Sequence, residues 1–271
     1  MPDEVNPTFY NEIDPFAAQW LRNLGAANHI TPGVVDERSI KDLTGADLAG
    51  VRRAHFFAGI GGWDLALRLA GWPDDAEVWT GSCPCQPYSL AGKQKRTADE
   101  RDLWPDFFRL ISERRPSTIL GEQVDNTHGR EWLTRLRSDL EGIGYAVGDA
   151  SLNSAGVGAF QVRQRLYWVA DTAGAGRCGG ATVAQPGGAE LGGPGPHLLP
   201  GPRPDHRGGS STLAVSDVCS PSYGIPGRVG RLRGYGNAID PEVAAGFVGA
   251  YMSARGIAAF IRRIAGEESR G

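Results

Sequence analysis

The sequence has 271 residues, 41% of them hydrophobic, so it is long enough to bury the core of an ordinary α/β domain with a smaller appendage. Its formal net charge of −3 excludes the strongly basic balance that would by itself indicate a nucleic-acid binder, although the stretches at 93–96 and 203–233 are locally basic. The acidic N-terminus lacks an apolar signal core, no apolar run could span a bilayer, and four cysteines without export signals indicate reduced thiols, so we expect a cytoplasmic protein.

Short apolar runs alternate with helical patterns from Phe9 to about Ala170, which predicts βα units and a largely parallel sheet. The run AHFFAGIGG ends in a glycine turn, and the helical pattern WDLALRLAGW that follows it stops at Gly71. EVWTGSCP and STILGEQV predict two further strands, and RLYWVAD predicts a final buried strand. We therefore expect one α/β domain over residues 1–170.

The composition changes at Asp171. Residues 171–230 are rich in glycine, proline, serine and histidine, and they supply too little apolar surface for a conventional core. We expect this region to be a poorly ordered insert or a loop-built module that becomes ordered on a partner. Residues 231–271 regain helical periodicity from Pro241, which predicts a C-terminal helix that packs back on the α/β domain.

Two features of the first half are typical of a nucleotide or nucleoside site. The turn from Phe57 to Gly62 lies between a predicted strand and a predicted helix, where glycines let the backbone approach a ligand closely. Glu12 or Asp14 follows an early apolar strand, where an acid commonly binds ribose hydroxyls. The alternatives are a plain βα turn and first-turn acids that complement a helix dipole.

The stretch GSCPCQPYS places Cys83 and Cys85 one residue apart at a predicted strand end. No second cysteine or histidine pair lies nearby to complete a zinc site, and the spacing does not fit a redox C-x-x-C motif. A nucleophilic cysteine at the edge of a sheet and a pair of buried structural cysteines both remain open.

Long polar side chains follow at the next strand ends. Glu122 ends the strand STILGEQV, and Gln161, Arg163 and Arg165 alternate into the last strand, so that these three project from one face. Such a row suits an anionic or carbonyl-rich ligand, and a solvated strand end is the alternative.

Taken in order, these fragments resemble the DNA (cytosine-5)-methyltransferases. The matching elements are F-x-G-x-G-G (Phe57, Gly59, Gly61, Gly62), P-C-Q (Pro84, Cys85, Gln86), Glu-x-Val (Glu122, Gln123, Val124), Q-x-R-x-R (Gln161, Arg163, Arg165) and G-N-A (Gly236, Asn237, Ala238). The resemblance implies a doubly wound, Rossmann-like methyltransferase sheet over 1–170, a small irregular target-recognition region at 171–230 and a closing motif and helix at 231–271.

The resemblance also implies the chemistry. A thiolate at Cys85 attacks C6 of a cytosine that has left the duplex stack, and Glu122 hydrogen-bonds N3 and the exocyclic amine. Arg163 and Arg165 hold the flipped nucleotide, and Gln86 lines the pocket mouth. The implied partner is double-stranded DNA, bound by a monomer that needs no metal.

S-adenosylmethionine is the implied cofactor. Its implied contacts are Pro84 in the P-C-Q motif, Asn237 in the G-N-A motif, and five residues of the glycine turn: Phe57, Gly59, Ile60, Gly61 and Gly62. The family's segments that normally follow the turn are absent from that place, and two N-terminal stretches resemble them. We therefore predict that the second and third strands of the family's sheet come before its first strand in this chain. Glu12 and Ile13 would then lie at the ribose, and Ser39 and Ile40 would flank the adenine, with Asp36 as the competing choice.

Two further departures concern substrate choice. The family usually has asparagine where this chain has Gln123, which puts the seating of Glu122 in question. The recognition region has low complexity, although arginines such as Arg203, Arg207 and Arg228 could contact phosphates. Two alternatives follow: the same chemistry on the cytosines of tRNA, and a catalytically silent relative that only binds DNA.

Overall fold

The structure, a computed structural model, describes residues 8–84, 102–157, 163–172 and 238–264, and the side chains of the last range as far as 256. These residues belong to one unit of the chain. Four of the predicted site residues, Cys85, Gln86, Gln161 and Asn237, lie outside the described residues, as does nearly all of the predicted recognition region at 171–230. The boundaries and roles of the three predicted regions therefore stay predictions.

Within the described residues, the strands form one seven-stranded sheet. They are β1 (Thr8–Asn11), β2 (Gly33–Asp36), β3 (Arg53–Phe56), β4 (Val78–Gly81), β5 (Thr118–Val124), β6 (Ala146–Asn153) and β7 (Gln164–Asp171). Their order in the sheet is β2-β1-β3-β4-β5-β7-β6, and β7 runs antiparallel to both of its neighbours while the other pairs are parallel. The predicted α/β class with a largely parallel, Rossmann-like sheet is confirmed.

The helices begin and end where the sequence supplies the chemistry for it. They are α1 (Pro15–Ala26), α2 (Gly62–Ala70), α3 (Trp104–Arg114), α4 (Thr127–Gly142) and α5 (Pro241–Ile264), with short 3-10 turns at Ile40–Asp42, Gly45–Leu48 and Ser154–Val157. Asp14 caps α1, because its carboxylate accepts hydrogen bonds from the amides of Phe16 and Ala17 at 2.8 and 3.2 Å. Gly71 ends α2 with a φ of 71°, a left-handed conformation that favours glycine.

Helices cover both faces of the sheet, as a doubly wound fold requires. On one face α3, α4 and the first two 3-10 turns pack against Phe9, Phe56 and Trp79. On the other face α2 and α5 pack against Val78 and Leu120, and α1 packs through Leu21 on Tyr10. Phe9 and Tyr10 face opposite layers because successive strand residues point to opposite sides.

The strand order has the arrangement that the rearrangement hypothesis requires. β1 and β2 precede β3 in the chain, yet in the sheet they lie on the side of β3 away from β4, and β1 pairs in parallel with both β2 and β3. The connections diverge between β1 and β3, because β1 leads outward to β2 whereas β3 leads to β4 and β5, and such a divergence is the switch point where ligands bind in open α/β sheets. The carboxyl ends of β1 to β5 all meet along this edge, because these strands run parallel.

Candidate active site

The glycine turn joins β3 to α2 through three residues with positive φ, namely Phe57 at 53°, Gly59 at 55° and Gly61 at 81°. Packing explains the absence of a side chain at two of the glycines. A Cβ on Gly61 would lie 3.1 Å from Ile30, and one on Gly62 would lie 2.4 Å from Ile239. A Cβ on Gly59 would meet nothing within 4 Å, so the turn leaves open space beside Gly59 at the switch point.

Glu12 lies directly against this turn. One carboxylate oxygen accepts a hydrogen bond from the amide of Gly59 at 2.7 Å, and the other accepts one from the amide of Asp14 at 2.9 Å. The Glu12 amide donates to the carbonyl of Asp36 at 3.0 Å, so the residue also ties β1 to β2. Beside it, Ile13 is 65% exposed. The fold thus joins residues 47 positions apart, and each carboxylate oxygen can still accept a further hydrogen bond.

The residues predicted to flank the adenine differ in their surroundings. The side chain of Ile40 is buried in the core at 3% exposure, so it offers no contact surface, and Ser39 caps the short 3-10 turn by accepting from the amide of Lys41 at 3.3 Å. The competing choice, Asp36, lies at the end of β2, beside Glu12. Partial burial acts to raise the pKa of Asp36, but hydrogen bonds from Arg38 outweigh it and hold that pKa below its ordinary value.

The loop after β4 begins at Ser82 and leads towards Cys85. The indole of Trp63 in α2 donates to the Ser82 hydroxyl at 3.0 Å, which anchors the loop from one side. Cys83 is only 4% exposed, and burial raises the pKa of its thiol well above its ordinary value, with further upward shifts from Asp102 and Asp106. A buried, protonated thiol is a poor nucleophile. Pro84, the next residue, is exposed.

Glu122 lies near the carboxyl end of β5 and is paired with Arg165 of β7. The Arg165 guanidinium lies 2.7 Å from the Glu122 carboxylate, whose side chain is 12% exposed. The antiparallel register sets Glu122 opposite Tyr167 and Val124 opposite Arg165, which explains how Arg165 reaches back to the carboxylate. Burial raises the pKa of Glu122, while the charges of Arg165 and Arg163 and the hydrogen bond from Arg165 oppose the shift. The carboxyl group therefore keeps its proton to a higher pH than an ordinary glutamate.

Arg163 joins two of the sequence motifs. Its guanidinium donates to the carbonyl of Ala238 at 2.9 Å, and its own carbonyl accepts from the amide of Ser154 at 3.0 Å. Ala238 ends the G-N-A motif and leads into α5. Arg163 thus fastens the start of this helix to the entrance of β7, a contact that the sequence did not predict.

A cleft of about 380 Å³ borders the glycine turn on the α2 side of the sheet. Its lining is mostly apolar and comes from the end of α1, the turn, α2 and the start of α5: Leu24, His29, Ile30, Ile60, Gly61, Gly62, Leu65, Arg163, Ala238, Ile239, Asp240 and Pro241. Glu12 is not among these residues, since it contacts the turn at Gly59. The predicted residues Ile60, Gly61, Gly62 and Arg163 therefore share a single cleft.

Two side chains that the sequence motifs did not single out, Asn11 and Trp63, hold this edge together. Asn11, at the end of β1, donates to the carbonyls of Asp36 and Arg38 at 3.3 and 2.8 Å, and its position beside Glu12 was the available signal. Trp63 carried no signal, because only tertiary structure brings it to Ser82. Among the described residues, no three His, Cys, Asp or Glu side chains are grouped so as to hold a metal ion, and no helix has the length and apolarity to cross a membrane.

Comparison with known proteins gives one family match and several partial relatives. Residues 71–175 match the C-5 cytosine-specific DNA methylase family, which confirms the resemblance indicated by the motifs. The Type II methyltransferase M.AplI of Arthrospira platensis is 34% identical over 109 residues, which cover 40% of this chain and 31% of the relative. M.HhaI of Haemophilus parahaemolyticus, also a Type II methyltransferase, is 25% identical over 167 residues, with 47% and 51% covered.

A crystal structure of a Spodoptera frugiperda DNMT2 mutant aligns with a TM-score of 0.43 and 16% identity, covering 60% of this chain and 42% of that one. The chain spans about a third to a half of the two curated relatives named above. The family match begins at Gly71, so the glycine turn, Glu12 and the first three strands all precede it.

Proposed function

We propose that this chain, whose residues 71–175 belong to the C-5 cytosine-specific DNA methylase family, transfers a methyl group from S-adenosylmethionine to C5 of cytosine in DNA. The observation that carries the proposal is the Glu122–Arg165 pair beside the cysteine loop. It puts a largely buried carboxyl of raised pKa near the carboxyl end of β5, next to the strand whose loop leads to Cys85. A nucleophile and an acid on neighbouring strand ends are what addition to a cytosine ring needs.

In the proposed reaction, the Cys85 thiolate forms a bond from sulfur to C6 of an extruded cytosine. The ring electrons move towards C5 while Glu122, through its proton, stabilises the charge at N3. Bound S-adenosylmethionine would supply the methyl group to C5, with its S–CH3 bond breaking and its sulfur leaving as the thioether of S-adenosylhomocysteine. The C5 proton then leaves to water, the electrons of that bond restore the ring, and the sulfur departs from C6, so that Cys85 is regenerated.

Arg165 has a positioning part in this proposal. Its guanidinium holds the Glu122 carboxyl at 2.7 Å and donates through another nitrogen to the carbonyl of Gln164 at 2.8 Å. Guanidinium carries five N–H donors in a fixed plane, so it can orient Glu122 and still face a nucleotide. The roles of Gln86, Gln161 and Asn237 rest on the family resemblance.

The described residues fit S-adenosylmethionine at the switch point. The open space beside Gly59 is room that a side chain would fill, and the Glu12 carboxylate next to it retains acceptor capacity for ribose hydroxyls. Both lie where an open α/β sheet binds ligands. We therefore propose Glu12 and the turn from Phe57 to Gly61 as the cofactor contacts, with Ile13 and Asp36 beside them.

Replacing Gly59 with alanine is expected to weaken cofactor binding by at least about tenfold, because the new methyl group enters the space left beside the turn. Gly71→Ala is the matched control. Gly71 also has a positive φ, 71° against 55°, and its Cβ would also meet nothing within 4 Å. Both variants should lose about 1–2 kcal/mol of stability from the strain of a side chain at positive φ.

Titration calorimetry with S-adenosylmethionine and thermal melts of the two variants check this. Equal losses of cofactor affinity in Gly59→Ala and Gly71→Ala would mean that strain, and not the space beside Gly59, controls binding.

The direct test of function uses duplex DNA that contains 5-fluorocytosine, together with labelled S-adenosylmethionine. Fluorine at C5 cannot leave as a proton, so the enzyme should stay covalently attached and migrate with the DNA on a denaturing gel. A covalent complex on DNA supports the proposal. An adduct on tRNA in preference to DNA would indicate the RNA reaction, and DNA binding without any adduct would indicate a catalytically silent relative. Mass spectrometry of the modified base on ordinary DNA should show the added methyl group at cytosine.

A further inference from the structure

Gln123 lies between Glu122 and Val124 and is 2% exposed. Successive strand residues point to opposite faces, so Gln123 points away from the Glu122 side, into the layer where Cys83 packs. Near Gln123 the pairing of β4 with β5 has ended. In the described part of the chain, β4 and β5 pair at Trp79 with Ile119 and at Thr80 with Leu120, and β5 then continues past the end of β4.

Both ends of the Gln123 amide are used where the two strands part. Its nitrogen donates to the carbonyl of Cys83 at 3.2 Å, and its oxygen accepts from the amide of Val124 at 2.9 Å. Because the Val124 amide can only donate, it determines which end of the side chain is oxygen and which is nitrogen. The side chain thus connects the extended end of β5 to the loop after β4, across 40 positions in sequence.

The surroundings hold this connection in place. A Cβ on Gly121 would lie 2.5 Å from the carbonyl of Gly81, so the two strands are close just before they part. A Cβ on Gly129, at the start of α4, would lie 1.8 Å from the carbonyl of Val124, so the helix packs directly on the end of β5. Gln123 therefore has little room to shift, and its length determines how far the Cys83 carbonyl lies from β5.

We infer that Gln123 is a positioning residue that sets the separation between the Cys85 loop and Glu122. The carbonyl that it binds is two residues before Cys85, and its own backbone neighbours Glu122. This inference deepens the proposed function and rests on it for the roles of Cys85 and Glu122. Asparagine, the usual family residue here, is one methylene shorter, about 1.5 Å, and cannot span both partners from this backbone.

Gln123→Asn should therefore lower the rate of covalent complex formation with 5-fluorocytosine DNA by at least about tenfold, because a misplacement near 1 Å at a reacting group costs on the order of a hundredfold. The affinity for S-adenosylmethionine should change much less than this rate, since Glu12, Asp36 and the glycine turn lie on β1, β2 and β3, and Pro84 is the one implied cofactor contact on the loop that Gln123 holds. The matched control is Gln19→Asn, where an exposed glutamine of α1 bonds Asn23 at 3.0 Å.

Gln123→Glu separates positioning from a loss of folding. Its ionised form would turn an oxygen towards the Cys83 carbonyl, whereas its protonated form has an O–H that can donate as the amide does. The rate of covalent complex formation, taken relative to the wild type at each pH, should therefore recover as the pH falls. A variant that is merely destabilised would show no such recovery.

Hydrogen exchange of the peptide over 81–86 gives a readout that does not depend on activity. Exchange should be faster in Gln123→Asn than in the wild type and unchanged in Gln19→Asn. Faster exchange with no adduct in any variant, the wild type included, would refute the proposed chemistry but support the positioning contact. A Gln123→Asn enzyme with wild-type exchange, or one that loses adduct formation and cofactor affinity in parallel, would overturn the inference.

Discussion

Replacement of Cys85 with serine is expected to abolish covalent complex formation and to lower methyl transfer by at least about a thousandfold, because a hydroxyl cannot take over the role of the thiolate. Cys83→Ser should remain largely active. The structure gives a physical reason for this difference, because Cys83 is buried, its thiol is held protonated, and its contact with Gln123 uses only the backbone carbonyl.

The experiment compares single-turnover transfer of labelled methyl groups and gel-shifted adducts for both variants. A buried serine hydroxyl costs roughly 1–3 kcal/mol without a partner, so Cys83→Ser is also expected to melt at a lower temperature. Cys83→Ala, which leaves no unpaired hydroxyl, controls for that loss. If a folded Cys83 variant were as inactive as Cys85→Ser, the assignment of the nucleophile to Cys85 alone would be wrong.

Glu12→Gln should weaken S-adenosylmethionine binding by roughly ten- to a hundredfold, the range expected when a hydrogen bond to a charged group is lost. The carboxylate accepts from two backbone amides, at Gly59 and Asp14. A glutamine side chain has one oxygen, so its NH₂ group would face one of these N–H donors and the site would open. At saturating cofactor the rate should recover, because Glu12 contacts the glycine turn at Gly59 and its proposed role is in cofactor binding.

Asp14→Asn is the matched acid-to-amide change two residues away. Asparagine caps helices as well as aspartate does, so α1 and the cofactor affinity should both be retained. Calorimetry on both variants with S-adenosylmethionine, followed by kinetics at saturating cofactor, checks the prediction. Loss of affinity in both variants would indicate that the local negative charge, and not the position of Glu12, governs binding.

Much of the site could be predicted because its parts are local in sequence. A strand ending in a glycine turn, a Pro-Cys-Gln loop and an arginine row each occupy fewer than ten residues, and their order pointed to the family before any distance was known. The choice between Glu12 and Asp14 was not local in this sense. Both are acids after β1, and it is the hydrogen bonds that make Asp14 the helix cap and bring Glu12 to Gly59.

The sequence could not show the surroundings of Ile40 or of Gln123. The pattern around Ser39 and Ile40 resembles an adenine contact, and this role stays a prediction, while the structure shows the Ile40 side chain buried in the core, because the chain after β2 turns into a short 3-10 helix that packs on α3. Gln123 looked only like a departure from the usual asparagine. Its partner is the Cys83 carbonyl, which lies 40 positions away and has no side-chain signature in the sequence.

The sequence by itself determined the α/β class, most of the strands and helices, and the resemblance to the methylase family, because hydrophobic periodicity and short motifs depend only on near neighbours. The strand order was predicted only through the family resemblance, and only the tertiary structure decided which atoms meet at the strand ends. β1 lies between β2 and β3 in the sheet and pairs with both, so the end of β1 lies beside the end of β3, and Glu12 reaches Gly59. Such contacts depend on strand order and register, which arise from long-range packing of the whole sheet and which no local pattern records.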